Sequence, residues 1–339
     1  MDWGPSASLA TLCQRAELLA ATRGFFTLRG LLEVETPALV SHAVTDPHLQ
    51  NIAAQLADHQ QLFLHTSPEF HMKRLLAAGA PDIWQLGKVF RDGEAGRHHE
   101  PEFTLLEWYR HGFSLQALAA ETCDLLGTLA AVAVRAGAVP TIGASPPVYW
   151  TYTALFRETL GLDPLTANAG ALRDCARAAL GSRLGAELEA SLGDDLALWL
   201  DLLMSHAISA RLADTGIAVV SGYPAAQAAL ARLDPADPRV AERFEVFCHG
   251  LEVANGYREL TDADEQRRRF ARDRQLRARY GRPDVLPDEQ LLAAMEHGLP
   301  ECAGVAVGFD RVVMSLLGLG SLQEAISFPI RPVGRRAPT

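Results

Sequence analysis

Apolar residues in SLATLCQRAELLAATRGFF (8–26) recur at helical spacing among good helix formers, and Gly30 closes that helix before LLEVETPAL (31–39), which reads as a strand ended by Pro37. The short run TSPEFHMKRLLAAG (66–79) has the punctuation of a helix, with Ser67 suited to the N-cap, Pro68 to the first turn and Gly79 to the C-terminal stop. Strands are predicted over 83–90 and 103–110. Long helices are predicted over 114–136 and 194–214, with a helical, loop-rich insert between them. IAVVSG (217–222) reads as a strand, and RFEVFCHGLEVANGYREL (243–260) as a hairpin turning near His249 and Gly250. A charged helix capped by Thr261 follows. GVAVGFDRVVMSLLG (304–318) reads as a strand or Gly-rich turn entering an apolar helix. The pattern predicts one α+β domain, an antiparallel sheet flanked by helices over 1–330, with a mobile Pro/Arg tail at 331–339.

Composition narrows this picture. A chain of 339 residues that is 48% hydrophobic can bury a large core. A formal charge of −10 argues against a protein that coats nucleic acid, though it leaves room for a local basic groove. Cys13, Cys123, Cys175, Cys248 and Cys302 lie far apart without CxxC spacing, so neither a zinc knuckle nor a disulfide framework is indicated. The N-terminus has no charged start followed by an apolar stretch, and the apolar run LLGTLAAVAV is too short to span a bilayer. These features predict a cytoplasmic protein with no membrane association. Basic charge is carried almost wholly by Arg, with Lys73 and Lys88 the only lysines, as a GC-rich coding bias would produce.

Candidate chemistry concentrates in VFRDGEAGRHHEPEFTLLEWYR (89–110), where strand-like runs flank a tip dense in charge. No GxxxxGK[ST] loop occurs, so a nucleotide needs another cradle, and Arg91 and Arg311, read as presented on strands, offer planar forks of donors matched to phosphate. If the 243–260 hairpin turns around Cys248 and His249, Glu245 and Glu252 oppose each other about 5 Å apart, an arrangement suited to Mg²⁺ between carboxylates and phosphate oxygens. One of the two pointing to solvent is the alternative. Glu69 sits in a helix first turn, where the macrodipole alone favours an acid. Glu259 reads equally as an exposed strand residue, His98–His99 as a polar loop, and the arginines of 267–282 as a solvated helix face.

In order along the chain, GLLEVETPAL, FRDGEAGRHHEPEFTLLEWY and GVAVGFDR resemble motifs 1, 2 and 3 of the class II aminoacyl-tRNA synthetases. EVANGYREL and PEFTLLEWY resemble the lysyl type, and TSPEFHMKRLL with EPEFTLLEWYR resembles its stand-alone paralogues that act on elongation factor P with β-lysine. The resemblance covers nearly the whole chain. It implies the class II catalytic domain, a homodimer formed through motif 1, and ATP with Mg²⁺. Motif 1 begins about thirty residues in, leaving no room ahead of it for an anticodon-binding domain, and tRNA is therefore not the expected partner.

The same resemblance implies roles for individual residues. Arg91 would grip the α-phosphate and the substrate carboxylate, His99 would approach the distal phosphates, and Phe103 would lie under the adenine with Arg311 on its other face. Glu245 and Glu252 would hold Mg²⁺, with Val253 and Gly308 bringing backbone close to ATP. Glu69 beside Ser67 would take the amine near the substrate's carboxyl end, Glu259 and Tyr109 its ε-ammonium, and Asn255 would orient the carboxylate. Ala306 stands where lysyl-tRNA synthetases carry Gly and matches the β-lysine ligases. Two departures stand out. Arg91-Asp92-Gly93-Glu94 replaces Arg-x-Glu, moving the adenine-contacting acid to Glu94 or leaving the contact to backbone, and Glu100 replaces Asn, which predicts weaker ATP binding. The alternatives are an orphan synthetase domain charging RNA or a small amine with α-lysine, and a silent paralogue serving as a binding subunit.

Overall fold

The computed structural model describes residues 3–330 apart from 141 and 144; the tail at 331–339 lies outside the described residues. Among the described residues, eleven strands form two sheets. The main sheet contains β1 (Leu32–Glu33), β5 (Ile83–Phe90), β6 (Glu102–His111), β7 (Val148–Thr151), β8 (Ile217–Pro224), β9 (Val240–Cys248), β10 (Leu251–Arg258) and β11 (Cys302–Gly308), in the order β1-β5-β6-β11-β10-β9-β8-β7. Its six central strands are antiparallel, as the pattern predicts, and only the edge pairs β1–β5 and β7–β8 run parallel. Those edge strands are entered from distant segments, α1 (Leu9–Leu28) and the loop after α3 (Leu115–Arg135), so no tight turn imposes antiparallel pairing. The small sheet joins β2 (Leu39–Val40), β3 (Ala53–Gln55) and β4 (Gln61–Leu64).

LLEVETPAL is not one strand. Only Leu32 and Glu33 pair with β5, and Leu39 and Val40 belong to the other sheet, because Pro37 lacks the N–H that a continuous ladder needs. Residues 194–214 are likewise broken into α7 (Leu196–Leu203), a π-helical turn over Met204–Ile208 and the single turn α8 (Ser209–Arg211). The insert before them holds α4 (Tyr152–Leu160), α5 (Ala169–Leu180) and α6 (Ala186–Leu192). The helix expected to be capped by Thr261 is α9 (Ala263–Arg279), and its cap is Asp262, whose carboxylate accepts from the Glu265 amide. α2 (Glu69–Ala77) starts one residue later than an Ser67 N-cap would place it, although the Ser67 hydroxyl still accepts from the Glu69 amide at 3.3 Å. α10 (Glu289–Gly298) and α11 (Phe309–Leu317) complete the fold.

Strand alternation explains how the sheet divides its faces. On β6, Leu106 and Trp108 point into a core with Phe26 stacked on Trp84 at 4.8 Å, which leaves Phe103, Leu105, Glu107 and Tyr109 on the opposite face. α3 is long and apolar enough to cross a membrane, longer than the short apolar run read from sequence, but it is mostly buried against α1 and the sheet. A second core fills the insert, where Tyr152, Phe156 and Trp199 pack with Tyr223 of β8. All five cysteines are free.

Candidate active site

A cavity of about 1470 Å³ opens along the face of the sheet opposite α3. It is larger than the ~300–1,000 Å³ usual for one small ligand, so it can hold a nucleotide and a second molecule together. The face residues of β6, β9, β10 and β11 form its floor, and α2, the loop between β5 and β6, and α7 contribute walls.

At one end lie acids. Glu69, Glu107 and Glu259 meet there with Tyr109, and all but Glu69 are fully buried. Lys73, one turn after Glu69 on α2 and itself buried, places its ammonium 2.6 Å from both Glu69 and Glu259. The Tyr109 hydroxyl donates to Glu107 Oε1 at 2.6 Å, while Glu107 Oε2 has no hydrogen-bond partner among the described residues. Burial raises the Glu107 carboxyl to about 8 and the Glu259 carboxyl to about 7; in both cases other acids add to the rise, and the Lys73 ammonium opposes it. Gly304 separates Tyr109 from Glu259: a Cβ there would come within 2.4 Å of the Tyr109 ring and 2.6 Å of Glu259 Oε1. The structure thus brings together Ser67, Glu69, Tyr109, Glu259 and Ala306, as the sequence suggested. Ala306 sits in register between Glu107 and Asn255.

Glu107, Lys73 and Gly304 carry no role in the sequence reading. Signals for two of them existed. Glu107 alternates with Tyr109 on one strand face, and Lys73 follows Glu69 by four residues, the spacing of a helical ion pair. Nothing local marks Gly304, whose need for a bare Cα arises from Tyr109 and Glu259 closing over it.

At the other end lie the cationic groups. Arg91 has its guanidinium 5.0 Å from the Phe103 ring centroid and 3.4 Å from Glu94. Arg311 donates to the backbone oxygens of His98 and Glu252 and, from Nη2, to His99 Nε2 at 2.8 Å. An arginine cannot accept, so His99 Nε2 must, which places the neutral ring's proton on Nδ1. Burial and the neighbouring Arg311 both lower the His99 pKa in keeping with that neutral form. The Glu252 carboxylate lies 3.9 Å from Arg311 and is 43% exposed.

The hairpin turns where expected, with His249 and Gly250 both at positive φ, but its register differs from the expectation. The turn closes over His249 and Gly250 and not over Cys248 and His249, so Cys248 pairs with Leu251 and Glu252 with Phe247; Val253 is then an extra bulge residue, which puts Glu245 opposite Asn255. The bulge keeps Glu252 on the cavity side together with Asn255 and Tyr257, and buries the Val253 side chain in the core, leaving only its backbone available to a ligand. Glu245 is engaged by Arg243, a partly buried cation that also donates to Asn255 Oδ1 at 3.1 Å. Burial pushes the Glu245 carboxyl up to about 7, with Arg243 opposing. Among the described residues no group of three or more His, Cys, Asp or Glu is arranged to hold a metal by itself. The donor chemistry fits a hard cation that brings phosphate oxygens with it, with Glu252 the accessible carboxylate and Glu245 behind it.

The departures have local causes. Gly93 has φ +79°, a left-handed conformation that a glutamate would adopt only with strain, so the acid stands at Glu94, where it pairs with Arg91. Glu100 is buried and accepts from the Gln323 side chain and, at 3.3 Å, from the Ile330 amide; it fastens the loop to the C-terminal segment. Gly308 is not required by the protein's own packing, since a Cβ there would meet its nearest neighbour at 3.7 Å.

Comparison with known proteins places these features in a lineage. A family model described as tRNA synthetases class II (D, K and N) matches residues 1–332. A protein of Pectobacterium carotovorum named elongation factor P–(R)-β-lysine ligase is 44% identical over 97% of this chain and 98% of its own length. Proteins of the same name from Avibacterium paragallinarum and Klebsiella pneumoniae are each 43% identical over 97% of this chain and 98% and 97% of their own lengths.

Proposed function

The chain belongs to the class II tRNA synthetase family of the D, K and N type, and from that premise we propose that it is an ATP-dependent ligase that activates (R)-β-lysine and transfers it to a lysine ε-amine of elongation factor P. The relatives' shared name supports the acceptor and the amino acid. The observation that carries the reading is the acidic end of the cavity: Glu69, Glu107 and Glu259 outnumber Lys73 by two carboxyls, which would ionise against a substrate with two ammonium groups. Its carboxylate then extends toward Asn255 and Arg91, at the end where a nucleotide's phosphates would lie.

In this reading a carboxylate oxygen of the amino acid attacks the α-phosphorus of ATP, forming a P–O bond as the bond to pyrophosphate breaks. Arg91, once turned to phosphate, and Arg311 are the cations that would take up the charge developing on the phosphoryl oxygens. The acceptor amine then attacks the acyl carbon; a C–N bond forms, the C–O bond to AMP breaks, and the amine's proton is lost. Mg²⁺ arriving with ATP would be held by Glu252 and Glu245 and would neutralise phosphate charge. Phe103 offers the adenine an aromatic face once Arg91 has turned to phosphate.

The remaining features fit a homodimer. Leu9, Leu28, Leu32 and Leu39 expose apolar surface along α1 and the segment after it, and β1 is a two-residue edge. The test of the function is pyrophosphate exchange with β-lysine and α-lysine, followed by mass measurement of elongation factor P. Exchange favouring β-lysine with one residue's mass added to the acceptor is expected; exchange with α-lysine alone and no transfer would overturn it.

A further inference from the structure

Lys73 is one of only two lysines in the chain and the more deeply placed, its side chain 3% exposed. A buried ammonium is strongly disfavoured unless matched, and here it is matched twice, at 2.6 Å by Glu69 from its own helix and at 2.6 Å by Glu259 from the end of β10. The titratable groups that interact with it are Glu69 from α2, Glu107 from β6, Glu259 just after β10 and Cys302 from β11, and Tyr109 and Tyr257 interact with the same acids. Without the ammonium, three acids would share one buried space.

We propose that Lys73 is a positioning residue for the amino-acid substrate: it sets the separation of Glu69 and Glu259 and leaves the pocket two carboxyls in excess, so that the site selects molecules with two ammonium groups at matching spacing. The proposal rests on the functional reading above and specifies how that site chooses its substrate. Lys73 acts through the two carboxylates it joins. Glu69 keeps a second oxygen for one ammonium, and Glu107 keeps an unpartnered oxygen that a second ammonium would satisfy. Losing Lys73 would drive a further proton onto the crowded acids, because like charges in one buried space cannot all remain. A cation would then have to displace that proton before binding.

The experiment compares wild type, Lys73→Met and Lys73→Arg in pyrophosphate exchange with β-lysine (3,6-diaminohexanoate) and with 3-aminohexanoate, which lacks the ε-ammonium, across pH 6–9. Wild type should prefer the diamino acid by about 100-fold or more, a buried charged contact being worth that much. Lys73→Met should raise the KM for β-lysine by about tenfold or more at pH 7 with the KM for ATP nearly unchanged, and should move the inflection of kcat/KM to higher pH by about a unit. Lys73→Arg keeps the charge but alters the spacing, so it should raise KM while leaving the inflection near its wild-type position. If Lys73→Met does not fold, Lys73→Arg carries the test, and an unchanged KM in it overturns the proposal. So does a Lys73→Met that melts earlier yet keeps KM and the pH profile. Wild-type exchange separates the two readings: its absence overturns the function and this role together, whereas normal exchange with an unaltered Lys73→Met overturns the role of Lys73 alone.

Discussion

The two ends of the cavity are built on opposite principles. The acidic end is closed and mutually paired, with Lys73, Glu107, Tyr109 and Glu259 all buried and held by contacts of 2.6 Å. The cationic end is half-open, and its ion pairs are loose, at 3.4 Å for Arg91–Glu94 and 3.9 Å for Arg311–Glu252. A small substrate that must be told from its isomers needs fixed partners in a dry pocket. Phosphates are large and highly charged, and they can displace weak partners from arginines in a solvated cleft. The acidic end should therefore couple binding to folding, and the cationic end should not.

The largest effect should come from Arg311→Ala and Glu252→Gln, each lowering pyrophosphate exchange by about 10²–10³-fold or more while Tm stays near wild type. A fall in Tm matching the fall in activity would break the contrast. Next, Glu259→Gln should raise the KM for the amino acid and also destabilise the fold by about 3 kcal/mol, because it removes a partner from buried Lys73. Denaturant titration checks this, and an unchanged midpoint would mean that the acid end is as loosely coupled as the other. Ala306→Gly should then shift the kcat/KM ratio toward α-lysine by about tenfold, the worth of one methyl in a tight pocket, without altering the KM for ATP.

A smaller signature lies in the pH dependence of stability. The Glu107 and Glu259 carboxyls are raised by burial to about 8 and about 7, so the folded protein holds protons there that the unfolded chain releases. The stability tied to those protons is complete below the ordinary glutamate range and is lost as pH rises through about 7 to 8. Glu107→Gln should flatten that decline in urea titrations across pH 5–9, and an equally steep decline would place the titrating groups elsewhere. Glu100→Asn should be the mildest change, altering the KM for ATP by no more than about threefold, since Glu100 is turned to Gln323 and Ile330.

Local pattern determined much of this protein. Alternation on β6, the α3 helix with its Ser114 cap, the His249–Gly250 turn and the order of the three motifs are all written in neighbouring residues, because each depends on interactions within a few positions. The motif residues told which side chains would gather in the cavity. What only the tertiary structure decided are the relations between distant segments. The bulge at Val253 moved Glu245 opposite Asn255, because one extra residue in a strand resets every later pair. The edges of the sheet became parallel because their connections run through other elements. Lys73 acquired its meaning from Glu259, far along the chain, and Gly304 from the ring and carboxylate that close over it. Charge burial and steric exclusion arise from the sum of neighbours in space, and no window of sequence contains that sum.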